Sequence, residues 1–170
     1  AGGGESVHER PLTERQLAAV QKCVAKAAER TAERQQRAAT APTVSVEAIE
    51  VAFNTAKTAG IKYPKLRLDT FVFSPAAETS ANAGAIYIKN KEDGLYLGKV
   101  MGGRLFTSRE CTPEASERIV AVASDPAQAA IAYGKKFGAC SICGRALTDA
   151  DSIARGIGPE RQVSARGWQR

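Results

Sequence analysis

An α+β architecture is predicted for this chain of 170 residues: N-terminal helices, a small antiparallel β-meander, then helices leading into a C-terminal knuckle. The hydrophobic period carries that prediction. Apolar residues recur at helical spacing over residues 17–28 and 46–56, alternate over 66–97, and follow two proline-led helix starts at 112–113 and 125–126. Four regions follow: a disordered start (1–10), a basic, Ala-rich helix (11–40), an α+β core (45–134) and a knuckle-like module (135–170).

In the first helix Thr13 serves as N-cap and Gln16 reaches back in a capping box. Leu17, Val20, Val24, Ala27 and Ala28 make one narrow apolar face. Lys22, Lys26, Arg30 and Arg34 stack four cations along another, suited to a phosphate backbone or simply to water, with Glu29 and Glu33 partly balancing them. So thin an apolar face predicts fraying beyond residue 34 and docking on a partner. Ser45 is placed to cap the second helix, which buries Val46, Ile49, Phe53 and Ala56 and ends at Gly60.

The segments KLRLDTFVF, AIYIK and LYLGKV alternate, and NKEDG and MGG carry turn chemistry, so three or four antiparallel strands are expected. Period-two sorting puts Leu66, Leu68, Val72, Ile86, Ile88, Leu95 and Leu97 on one aliphatic face under the second helix. The opposite face holds Arg67, Phe71, Phe73, Tyr87, Lys89 and Tyr96. Rings interleaved with cations suit a single strand, because bases stack on rings while Lys and Arg take phosphates. The alternative is that the C-terminal helices cover this face as well, in three layers, with its aromatics as core. Thr112 before Pro113 and Asp125 before Pro126 open those helices, and the second of them is expected to end at Gly134.

The formal charge is +6, of which the last 36 residues hold +4. Such an excess attracts polyanions, with a salt dependence, or simply keeps a surface soluble. No window approaches the roughly 20 apolar residues that span a bilayer, and the start lacks the basic-then-apolar order of a secretory signal. Cys23, Cys111, Cys140 and Cys143 are too few and too scattered for a secreted disulfide framework, so a reducing cytoplasm is expected.

Cys140-x-x-Cys143-Gly144 has knuckle geometry: a short turn lets both thiolates point at one ion while turn N–H groups satisfy the sulfurs. A closed site needs four ligands. No second pair follows, the only histidine is His8, and Cys111 and Cys23 are remote in sequence. Redox or plain structural cysteines are therefore alternatives to one structural zinc. The run YGKKFGACSICGRALTDADSIARGIGPE resembles an uncharacterised domain of phage and actinobacterial proteins, with the signature C-x-x-C-G-R-x-L-T-D-x-x-S-I-x-x-G-I-G-P-x-C. That resemblance implies a compact zinc-binding module and no established activity. Here Cys140, Cys143, Gly144, Arg145, Leu147, Thr148, Asp149, Ser152, Ile153 and Gly156 to Pro159 fit the signature. Arg161 stands where the closing cysteine is expected, so a residue such as Cys111 or Asp149 substitutes, or the metal is lost, or the tail differs from the ancestral reading frame.

No catalytic constellation emerges: there is no Walker loop, no histidine beside a nucleophile and no carboxylate pair in an apolar context. Two functions remain. One is a small accessory protein of phage type that binds nucleic acid, preferably single-stranded, through the sheet aromatics with Lys135, Lys136, Arg145 and Arg155. The other is a protein–protein module that modulates a host complex. Neither calls for a membrane or a small-molecule substrate.

Overall fold

The computed structural model describes residues 11–158. The disordered start expected over residues 1–10 lies outside them, as do His8, Arg161 and the tail. The chain divides into two compact units, one ending at Thr40 and one running from Ala41.

The described part of the first unit is one helix, α1 (Glu14–Thr40). The capping box is present: the Gln16 N–H donates to Thr13 Oγ1 at 3.3 Å and the Thr13 N–H donates to Gln16 Oε1 at 3.0 Å. The helix runs on past residue 34, contrary to the expected fraying. Gln35, Gln36, Arg37, Ala38 and Ala39 are all good helix formers, so the backbone needs no tertiary support to continue. No residue of α1 is buried, and Leu17, Val20 and Val24 are exposed.

The second unit is an α+β fold: α2 (Glu47–Thr58), β1 (Leu66–Leu68), β2 (Phe71–Pro75), β3 (Ile86–Asn90), β4 (Tyr96–Met101), β5 (Arg104–Thr107), α3 (Pro113–Ser124), α4 (Pro126–Phe137) and α5 (Ala150–Arg155). Ser45 does not cap α2; the N-cap is Val46, without a side-chain bond. Its exit is a Schellman turn. Gly60, at φ 84°, donates to the Lys57 carbonyl at 2.9 Å, and Ile61 donates to the Ala56 carbonyl at 3.0 Å and packs on the core.

The five strands form one antiparallel meander in the order β1-β2-β3-β4-β5. Two features alter the expected sorting of side chains. KLRLDTFVF is two strands rather than one, joined by a two-residue turn at Asp69–Thr70, where Asp69 adopts φ 52°. Leu68 therefore faces Phe71 and Leu66 faces Phe73 across the ladder, so all four are buried together and Val72 turns outward. The second feature is a register shift at Ile88/Lys89, which leaves Leu97 unpaired in β4. The bulge lets Leu97 and Val100 both point inward while Tyr96 and Lys99 both point outward. Leu95, expected on the buried face, is exposed beyond the strand end. Gly98 sits at the bulge because a Cβ there would strike the Phe106 carbonyl of β5. The last strand returns through the expected MGG turn, with Gly102 and Gly103 both at positive φ.

Ile49, Phe53 and Ala56 of α2, Ile119 and Ala123 of α3, and Ala130 of α4 join Leu66, Leu68, Phe71, Phe73, Ile86 and Ile88 in one core. The C-terminal helices thus share the inner face with α2, in two layers rather than three. Neither sheet edge is left bare. Pro42 accepts from Leu105 at 2.9 Å and Val44 donates to Gly103 at 2.8 Å along β5, while Arg67 of β1 donates its N–H to the Ser141 carbonyl at 2.7 Å.

Thr112 and Asp125 cap α3 and α4 as expected, accepting from Ala115 at 3.2 Å and Gln128 at 3.0 Å. Helix α4 does not stop at Gly134 but continues to Phe137 and ends on Gly138 in the left-handed conformation. Gly134 has a packing role. A Cβ on it would overlap Gly156, and one on Gly156 would overlap Ala130, so this glycine pair lets the end of α5 lie against α4.

Candidate functional site

The outer side of the sheet carries two adjoining cross-strand rows. In one, Arg67, Val72, Lys89 and Tyr96 are neighbours; in the other, Ser74, Tyr87, Lys99 and Phe106. On β3 and β4 each tyrosine faces a lysine directly, Tyr87 opposite Lys99 and Lys89 opposite Tyr96. The two rings also meet diagonally, edge to face, with centroids 6.1 Å apart. Burial raises the Tyr96 phenol and the neighbouring Tyr87 adds to the shift, so Tyr96 is neutral at pH 7. Asn82 braces the group from the β2–β3 loop: its amide donates to Tyr87 Oη at 3.1 Å and accepts from Lys99 Nζ at 2.6 Å. Lys99 was not anticipated, because strict alternation in LYLGKV sets Tyr96 and Lys99 on opposite faces and only the bulge reunites them.

Two expected members of this surface lie elsewhere, and a third is engaged. Phe71 and Phe73 are 3% and 0% exposed on the inner face, a consequence of the turn at Asp69–Thr70, and are unavailable to a base. The Arg67 guanidinium serves the knuckle: Nη1 donates to the Ile142 carbonyl at 2.9 Å, and the group lies against Gly144 so closely that a Cβ there would stand 3.0 Å from Arg67 Cζ.

The knuckle itself is well built. Gly138 accepts from Leu147 at 2.8 Å, Arg145 accepts from Cys140 at 2.8 Å, and Cys140 accepts from Gly144 at 2.8 Å, closing a tight turn with Gly144 at φ 75°. Ser141 donates its N–H to Gly156 at 3.0 Å, tying the turn to the end of α5. Cys140 is fully buried. Burial pushes its thiol up, but N–H groups of Cys143, Gly158 and Ile142 and the Cys143 thiol hydrogen-bond to it and together bring it below the ordinary range.

This donor set suits a zinc thiolate. The ligand count does not reach a closed site: among the described residues no group of three His, Cys, Asp or Glu side chains could hold a metal. Of the two proposed substitutes, Asp149 caps α5 through one carboxylate oxygen, accepting from the Ser152 N–H at 2.9 Å and hydroxyl at 3.1 Å, and burial pushes the Cys111 thiol up. The Ser141 hydroxyl, buried, has no hydrogen-bond partner among the described residues.

The basic residues expected at the knuckle differ in their surroundings. Lys136 pairs with Asp69 at 3.4 Å beside Arg118, which also binds that carboxylate. Arg155 pairs with Asp151 one turn away at 3.6 Å, while Lys135 and Arg145 are exposed. Lys91, missed in the sequence, lies over Phe137 at 3.4 Å from the ring centroid.

Residues 130–160 match a protein family of unknown function, DUF6011. The matched span takes in the second half of α4, the thiol turn, α5 and both members of the Gly134–Gly156 contact, so the similarity falls on one packed unit. Neither the curated proteins nor the solved structures contain a match to the chain. No helix among the described residues is long and apolar enough to cross a membrane.

Proposed function

We propose that this protein is a small nucleic-acid-binding accessory protein, of phage type and cytoplasmic, that takes a single strand across the outer face of its sheet. The observation that carries the reading is the cross-strand pairing of Tyr87 with Lys99 and of Tyr96 with Lys89. Bases stack on the two rings and the lysines take the flanking phosphates, an arrangement tolerant of sequence because every base has a π-face. The net charge of +6 adds attraction at long range.

Fluorescence anisotropy with a labelled single-stranded oligonucleotide tests it. If three to four phosphates are held, raising salt from about 50 to about 200 mM weakens binding by about 20- to 50-fold. Tyr87→Ala and Tyr96→Ala each weaken it by about fivefold or more. Salt-independent binding, or tyrosine variants that bind as tightly as the parent, would remove the proposal.

A second reading, a module that docks on a host protein complex, is favoured by α1, where Leu17, Val20 and Val24 expose an apolar face 48–63% accessible. It predicts capture that is insensitive to salt and abolished by Val20→Glu. A structural zinc on Cys140 and Cys143 is compatible with either reading. One equivalent by elemental analysis would establish the metal. None would leave the turn to its hydrogen bonds and to packing of Leu147, Ile153 and Ile157.

A further inference from the structure

Next to the outer face is a cleft of about 630 Å³ between the end of α2, the α2–β1 connection and the end of β2. It is lined by Lys62, Tyr63 and Lys65 on the α2–β1 connection and by Ser74 and Pro75 of β2. Tyr63 is 83% exposed, the most accessible large apolar side chain among the described residues. So exposed a ring gains nothing from the protein's own core. Lys57 also lines the cleft and pairs with Glu78 at 3.4 Å, both on the surface, whereas no pairing acid is found for Lys62 or Lys65 among the described residues.

The cleft is continuous with the tyrosine–lysine surface. Ser74 is the direct cross-strand neighbour of Tyr87. Lys65 immediately precedes β1, whose Leu66 and Leu68 point inward, so the alternation turns Lys65 to the outer side. A ring flanked by two cations, opening onto a second such group two strands away, has the composition of one more nucleotide position on a single track.

We propose that this cleft binds a nucleotide of the same single strand, with Tyr63 stacking the base and Lys62 and Lys65 holding the adjoining phosphates. The inference rests on the outer-face reading and extends it by one site. Both lysines and the ring are exposed, so Tyr63→Ala and Lys62→Glu/Lys65→Glu should melt like the parent, a check made by circular dichroism.

The experiment measures anisotropy of a labelled oligothymidylate on the intact chain for these two variants and for Tyr87→Ala, at low salt. In parallel, an oligonucleotide carrying 5-iododeoxyuridine is photocrosslinked to the parent protein and mapped by peptide mass. The expected result is a loss of about fivefold or more for Tyr63→Ala, a larger loss for the charge reversal, and a crosslink at Tyr63. Parent-like binding by both cleft variants with weakened Tyr87→Ala would overturn the cleft and leave the outer face standing. Weakened cleft variants with parent-like Tyr87→Ala would retain the cleft and remove the outer face. A parent chain that binds no oligothymidylate overturns both.

Discussion

Asp69 does two jobs, and they separate by substitution. Its backbone supplies the left-handed residue of the β1–β2 turn, at φ 52°, and its carboxylate binds Arg118 and Lys136. Burial pushes that carboxyl up, but hydrogen bonds and charge from Arg118, then Lys136, outweigh it and hold the group below the ordinary range. A carboxyl depressed on folding contributes stability present above its unfolded value and lost as pH falls through its folded one. Asn tolerates the same backbone conformation. Asp69→Asn should therefore cost less than about 1 kcal/mol at pH 7, the cations being exposed. Urea unfolding of the two proteins should converge as pH falls through the lowered Asp69 carboxyl value. Gly156→Ala is the severe counterpart. Its Cβ would enter the Ala130 backbone from a left-handed residue at φ 71°, so overpacking and strain together should cost about 2–4 kcal/mol, read by thermal denaturation.

The knuckle is an element that borrows its order from a strand. Arg67 of β1 supplies it with one backbone and one side-chain hydrogen bond, to the carbonyls of Ser141 and Ile142. Arg67→Ala should speed amide exchange over residues 140–147 while β2 to β4 keep their protection, measured by hydrogen exchange with mass spectrometry. This cation read as a phosphate ligand in sequence, because nothing local to KLRL reveals a partner about 75 residues away. The helix starts were legible for the opposite reason. Thr13, Thr112 and Asp125 act on N–H groups within three residues of themselves, so each cap is written entirely in adjacent letters. Strand faces fell between these cases. The period of two was correct inside each strand, but one turn at Asp69–Thr70 and one bulge at Leu97 each reversed the parity that follows.

For the whole molecule, the division at Thr40 predicts independence of folding. The core of the second unit is built from side chains between Val44 and Ile157. A chain shortened to residues 41–170 should thus unfold cooperatively within a few degrees of the full chain by calorimetry. If the outer face carries nucleic-acid binding, the shortened chain should also retain most of its affinity for an oligonucleotide. Loss of binding would move the function to the cationic stripe of α1.

The α+β class, the sequence of helices, meander and helices, the caps at Thr13, Thr112 and Asp125 and the thiol turn were determined by the sequence by itself, since periodicity and capping depend on neighbours a few residues apart. Which side of the sheet is buried at Phe71 and Phe73, the meeting of Lys99 with Tyr87, the Gly134–Gly156 contact and the cleft at Tyr63 were decided only by tertiary structure. Each depends on a turn, a bulge or a close approach that joins residues distant in the chain. A side chain's face is the accumulated result of every such event before it.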